Sequence, residues 1–373
     1  MHATLAAVHI PDGYLSPSTC AALYAGAAPF WWVALRRLRR ALHTRLVPRV
    51  SLFAAFSFVV MMFNIPLPGG TTGHATGVAL AAIVLGPSAS ILAVSTALLI
   101  QAFFFGDGGI TALGANCFNI AIAGSLAAFP VYRAGAGRSA LESPRRVVAA
   151  GLAGYAAINV AALLAAVQFG IQPVFFRDAT GAPLYCPYPL SVAVPAMMLG
   201  HLTIAGIAEL ALTGGVVAFI QRTDVSLLSA TAGPSVRSNE DGTDAAGPAS
   251  LRPLWITLGL LLVLTPLGLL AGGVAWGEWA ASDFADPAAQ HAIAEASLGH
   301  VPPASTPTGL HRLASIWTAP IPDYAPPFLR SEAVGYVLSG MFGTGLVLLA
   351  VAALGAVLGL RRRARPAGDK VSP

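Results

Sequence analysis

The chain has 373 residues, 56% of them hydrophobic and only 10% charged, where a soluble domain carries about 25% charged residues. Its formal net charge is +5, but the arginines bunch between apolar runs and do not interleave with stacking aromatics. This argues against nucleic-acid binding and for the cytoplasmic loops of an integral membrane protein. The three cysteines, Cys20, Cys117 and Cys186, have no CxxC spacing and read as small apolar residues, not as a thiolate metal site.

In chain order, the stretch AAVHIPDGYL (6–15) precedes any apolar run. It places His9 before Pro11, whose ring fixes φ, and before the tight-turn pair Asp12-Gly13. Apolar segments follow at about 18–35, 50–65, 75–105, 110–131, 147–169, 190–220, 253–274 and 334–360. A helix needs roughly 20 residues to cross a bilayer. The 75–105 run is too long for one comfortable crossing and holds Gly86-Pro87, which interrupts helix, so it is read as two segments. Arginine placement agrees. Arg36 to Arg49, Arg133 to Arg146, Arg222 to Arg252 and Arg361 to Arg365 then fall on one side, and only Arg177, Arg312 and Arg330 on the other.

The fold class expected is an all-α integral membrane protein: a seven-segment helical bundle plus two further transmembrane helices, with the N-terminus outside and the C-terminus cytoplasmic. The segment 223–251, rich in Ser, Gly, Asp and Ala, reads as a flexible cytoplasmic linker. The Pro- and Ala-rich piece 275–333 reads as an extracytoplasmic loop.

The stretch FNIPLPGGTTGHATG (63–77) is dense in Gly and Pro. Irregular backbone at membrane depth survives only when buried in protein or lining a cavity. The topology puts His74, in this stretch, on the same side as His9. Two imidazoles with no carboxylate cluster or thiolate nearby suit Ni(II), Co(II), Cu(II) or Zn(II) rather than Mg or Ca. In the segment 101–122, Asp107 falls in a turn, and Asn116 and Asn119 fall within a span. The two amides are open to two readings, hydrogen bonds between helices or support of a metal-bearing loop. His201 and Glu209, two turns apart on one helical face, read either as a catalytic or proton-relay pair or as an interhelical hydrogen-bonding pair.

Together, HIPDGYLSP, NIPLPGGTTGHATG, LGPSA, FFFGDGGITALGANCFNIA and GHLTIAGIAEL resemble the substrate-capturing M component of nickel and cobalt energy-coupling factor transporters, the CbiM/NikM family. VAWGEWA (274–280) and PIPDYAPPF (320–328) resemble the N component fused behind it in nickel-type members. The resemblance implies domains at 8–222 (M component) and 252–373 (N component). It implies Ni(II) or Co(II) as transported substrate and no organic cofactor. The implied partners are a transmembrane coupling subunit, a cytoplasmic ATPase subunit and the lipid of a bacterial inner membrane. No GxxxxGK[ST] occurs, so the chain carries no P-loop of its own.

The resemblance also implies a ligand set: an N-terminal amine, the next main-chain nitrogen, that residue's imidazole (His9) and a loop histidine (His74). These nitrogens form fused chelate rings closing a square. Asp12, Asp107, Asn116 and Asn119 are then expected to support them. Val8 stands where the family has the initiating Met, and seven residues precede it. Because GTG encodes Val and also serves bacteria as a start codon, position 8 is expected to be the true start, supplying the amine, with 1–7 a misassigned extension. The competing reading is a membrane-embedded metalloenzyme using His74, His201 and Glu209. It lacks HExxH and an evident third ligand, so a non-enzymatic transporter is expected.

Overall fold

The computed structural model describes residues 9–41, 46–232 and 251–363; Val8, the extension 1–7 and most of the linker, 233–250, lie outside the described residues. Helix dominates. After the strap 9–16 come α1 (Pro17–Ala41) and α2 (Leu46–Val60), then a small antiparallel pair, β1 (Ile65–Leu67) and β2 (Thr71–Gly73). Next are α3 (Val78–Leu85) and α4 (Pro87–Ile100), the latter continued by a π-turn to Phe105. The rod α5 (Leu113–Asn116), a π-segment Cys117–Gly124 and α6 (Ser125–Ala136) follow, then α7 (Pro144–Gly170) and α8 (Gln172–Phe175). The rod α9 (Leu190–Gly200), a π-turn His201–Ala205 and α10 (Gly206–Thr223) complete the first unit. The second has α11 (Arg252–Leu264), the short α12 (Pro287–Ala296) and α13 (Thr308–Leu313), and the long α14 (Glu332–Arg363).

By length and composition, six helical rods among the described residues are able to cross a membrane: Pro87–Phe105, Leu113–Ala136, Pro144–Phe175, Leu190–Thr223, Arg252–Leu270 and Glu332–Leu358. The Gly86-Pro87 break falls where the sequence places it. Gly86 ends α3 at φ 82° and Pro87 opens α4, where its missing N–H costs nothing. At 8 residues, however, α3 is only about 12 Å long. That is less than half a hydrocarbon core of about 30 Å, so α3 alone does not cross. The strand β2 and the irregular backbone from His74 to Gly77 lead into it instead.

Small residues let helices close up, as lipid-embedded bundles require. A Cβ on Gly154 of α7 would sit 2.7 Å from Thr213 Oγ1 of α10, so the two helices pack backbone to backbone. Asn119 and Gln168 exchange hydrogen bonds of 2.8 and 2.7 Å and tie the π-segment to α7.

The flexible-linker expectation for 223–251 needs one correction. Asp224 caps a 3-10 helix, Val225–Thr231, whose Leu227 and Leu228 are buried and whose Thr231 hydroxyl donates to the Ile83 carbonyl. Two leucines spaced for burial under α3 order this part. The piece 275–333 also has structure: besides α12 and α13 it holds 3-10 turns at Ala281–Ala285 and Pro322–Tyr324. It folds over the end of the bundle that carries His9. The Leu310 amide donates to the Leu184 carbonyl (3.0 Å), and the Ile321 amide to that of Phe104 (3.0 Å).

Candidate metal centre

The strap 9–16 enters this end of the bundle and is held along its length by the turn between α4 and α5. Asp12 accepts the Ile110 amide (3.0 Å), the Thr111 amide (2.7 Å) and the Thr111 hydroxyl. Asn116 clasps Ile10 from both sides, accepting its N–H at 2.8 Å and donating to its carbonyl at 3.0 Å. The Gly109 amide donates to the same carbonyl at 2.9 Å. Only glycine permits this approach, because a Cβ on Gly109 would lie 2.3 Å from the Asp12 nitrogen and one on Gly108 3.1 Å from the His9 Cβ.

His9 and His74 come together, both 1% exposed, with ring centroids 5.1 Å apart and planes at 50°. At metal–nitrogen distances of about 2 Å, that spacing lets one ion touch a nitrogen of each ring. His74 Nδ1 lies 2.9 Å from the Ala75 carbonyl and donates to it. His9 Nδ1 meets Asp107 Oδ1 at 2.5 Å, while its Nε2 has no hydrogen-bond partner among the described residues.

Burial would raise the Asp107 carboxyl, but the charge and hydrogen bond of His9, then His74 and Tyr324, outweigh it and hold the group below its ordinary value. The other Asp107 oxygen takes the Tyr324 hydroxyl at 2.6 Å and Gln101 Nε2 at 3.2 Å. Glu278 also points into this region and is 5% exposed. Its carboxylate feels the His9 main-chain N–H and the charge of Asp107, yet neither oxygen closes a hydrogen bond with a described residue. Burial first, then Asp107, pushes this carboxyl well up.

Of the sequence-predicted residues, His9, His74 and Asp107 thus come together, and Asp12 and Asn116 hold the strap that carries His9. Asn119 is not: both ends of its amide are taken by Gln168. His201 stands apart from Glu209, with Nδ1 2.8 Å from the Met197 carbonyl. Glu209 instead clamps the His74 loop, accepting the Thr76 amide at 2.5 Å, the Gly77 amide at 3.2 Å, and the hydroxyls of Thr76 (3.2 Å) and Thr213 (3.1 Å). No cluster of three or more His, Cys, Asp or Glu able to hold a metal occurs among the described residues.

Sequence reasoning missed Gln101, Glu278 and Tyr324. A signal existed for two of them: WGEW and PDY are polar, aromatic-flanked motifs inside a Pro-rich loop.

Residues 9–227 match the family model described as the cobalt uptake substrate-specific transmembrane region, and residues 252–360 match the PDGLE domain. A fused nickel transport protein, NikMN, of Rhodobacter capsulatus is 55% identical over 97% of this chain and all of its own length. A probable fused nickel transport protein, LarMN, of Lactiplantibacillus plantarum is 39% identical over 93% of this chain and 97% of its own. A cobalt transport protein, CbiM, of Geobacter sulfurreducens is 33% identical over 71% of this chain and 72% of its own. Among solved structures, a transition metal transporter matches with TM-score 0.55 and 47% identity, covering 58% of this chain and 93% of that one.

Proposed function

This chain belongs to the CbiM family of cobalt-uptake transmembrane proteins, with a PDGLE domain behind it, and from that membership we propose how it captures its metal. It is a multi-pass membrane component of nickel/cobalt transport and not an enzyme. Ni(II) or Co(II) is its cargo, taken up between His9 and His74. The observation that carries this reading is the burial of two imidazoles 5.1 Å apart on two irregular segments, each pinned by a carboxylate. The metalloenzyme reading loses support, because Glu209 spends its oxygens on four donors of the loop and its own helix.

The ligand set is four nitrogens: an amine from residue 8, the His9 main-chain nitrogen, the His9 ring and His74 Nε2. Only Nδ1 of His9 can close a six-membered ring with its own main-chain nitrogen. That is the atom now bonded to Asp107. Metal capture therefore turns the His9 ring, and a small shift of the carboxylate lets Asp107 receive Nε2–H. A planar nitrogen set suits Ni(II), and the fused nickel-transport relatives favour nickel over cobalt. A separate transmembrane coupling subunit and a cytoplasmic ATPase supply the energy, in the bacterial inner membrane with the strap outside.

The test is metal content and visible absorption of the full chain and of a chain beginning at residue 8. Binding of one Ni(II) or Co(II) by the shorter chain alone, lost in His9→Ala and His74→Ala, supports the amine chelate. Equal binding by both chains removes the amine from the ligand set.

A further inference from the structure

The metal centre is not confined to the unit that carries its histidines. The Tyr324 hydroxyl, from the PDGLE-matching domain, donates to Asp107 Oδ2 at 2.6 Å. Gln101 Nε2 donates to the same oxygen at 3.2 Å and to the Tyr324 oxygen at 3.1 Å. With Oδ2 engaged by two donors, Oδ1 is left to His9, which it meets at 2.5 Å. A carboxylate alone can rotate; this one is oriented.

Tyr324 is itself held on every side. Its ring stacks on Phe105 with centroids 4.5 Å apart at 17°. Its carbonyl accepts the Ser339 hydroxyl of α14 at 2.9 Å. Its backbone lies in the left-handed region at φ 57°, directly after Asp323 at φ 54°. Side chains with a Cβ rarely occupy that region, and residues kept there cluster at sites where the surroundings over-determine a geometry.

We infer that Tyr324 is a positioning residue of the metal centre, by which the C-terminal domain sets the orientation of the His9 ring through Asp107. This rests on the reading of His9 and His74 as ligands. Once the ring has turned so that Nδ1 takes the metal and Asp107 receives Nε2–H, Asp107 is the outer partner of a metal-bound histidine; such partners fix the ring and raise its basicity, and their loss typically weakens metal affinity by about 10–100-fold. The domain behind the family core would thus reach the cargo itself, two bonds removed, and not merely stabilise the fold.

The experiment uses the chain beginning at residue 8, with both domains, in detergent, titrated with Ni(II) and with Co(II) and followed by visible absorption. Tyr324→Phe removes one oxygen atom. It is expected to weaken binding about tenfold and shift the absorption band. Asp107→Asn should weaken binding similarly, and Tyr324→Phe added to it should cost nothing more. Tyr336→Phe, which removes a neighbouring buried phenol bonded to the Met62 carbonyl, should leave affinity and band unchanged. If Tyr324→Phe does not fold, Gln101→Met removes the other Oδ2 donor and is expected to act in the same direction. Wild-type affinity and spectrum in Tyr324→Phe, while His74→Ala has lost binding, overturns the inference and leaves the ligand reading intact. Equal losses in Tyr324→Phe and Tyr336→Phe with no band shift also overturn it, because they mark a structural role. Undiminished binding in His9→Ala and His74→Ala overturns the ligand reading, and the inference with it.

Discussion

The strap that carries His9 and the loop that carries His74 are both irregular, both buried, and pinned by the same device used in opposite directions. On the strap the carboxylate belongs to the held segment: Asp12 reaches across and accepts the amides of Ile110 and Thr111. On the loop the carboxylate belongs to the scaffold: Glu209 stands on α10 and accepts the amides of Thr76 and Gly77. Main-chain N–H groups cannot be left unpaired at such depth, and a carboxylate satisfies several at once. The comparison teaches that an acid near a pair of histidines need not point at them. Here one buried and one half-buried carboxylate hold the backbone that carries the imidazoles.

The comparison breaks first at the imidazoles. His74→Ala should lower Ni(II) affinity beyond the 10–100-fold that changes in supporting residues produce, measured by isothermal titration. Gly109→Ala comes next. Its Cβ would sit 2.3 Å from the Asp12 nitrogen, so the strap must leave its seat, and metal binding should be lost while the helical content stays unchanged by circular dichroism.

The two clamps can then be set against each other. Glu209→Gln turns an NH2 group toward amides that need an acceptor. It should cost about 1–3 kcal/mol, read as a lower melting temperature in detergent, and weaken metal binding as the His74 loop loosens. Asp12→Asn makes the same change at a half-buried position, where water can reach the amides left without an acceptor, so its cost should be smaller, about 1 kcal/mol. If Asp12→Asn proves the more damaging of the two, the scaffold-side clamp is not the stronger. The smallest effect on metal is expected at Asn119→Ala. It should lower stability, because the buried Gln168 amide is left unpaired, and leave Ni(II) affinity at the wild-type value.

Much of this architecture was legible in residue order. The Gly86-Pro87 break follows from proline's missing N–H and the crowding it imposes on the residue before it. Counting crossings placed His9 and His74 on one side of the membrane; that their rings meet is seen only in the fold. Density of Gly and Pro around His74 foretold irregular backbone, since such backbone is stable in a membrane protein only when enclosed.

Composition, apolar run lengths and the Gly-Pro dipeptide therefore determined the class of the protein and the position of its helix break, because those depend on local propensity and on transfer from water to lipid. The tertiary structure decided what surrounds the two imidazoles. Asn119 turned to Gln168 and not to the strap, and Glu209 turned to the His74 loop and not to His201. Tyr324 arrived at Asp107 from 217 residues away. A polar side chain carries no periodic signal that names its partner. The partner is chosen only when the packed helices and the loop laid across them leave one group within hydrogen-bond reach, where an unpaired alternative would be costly.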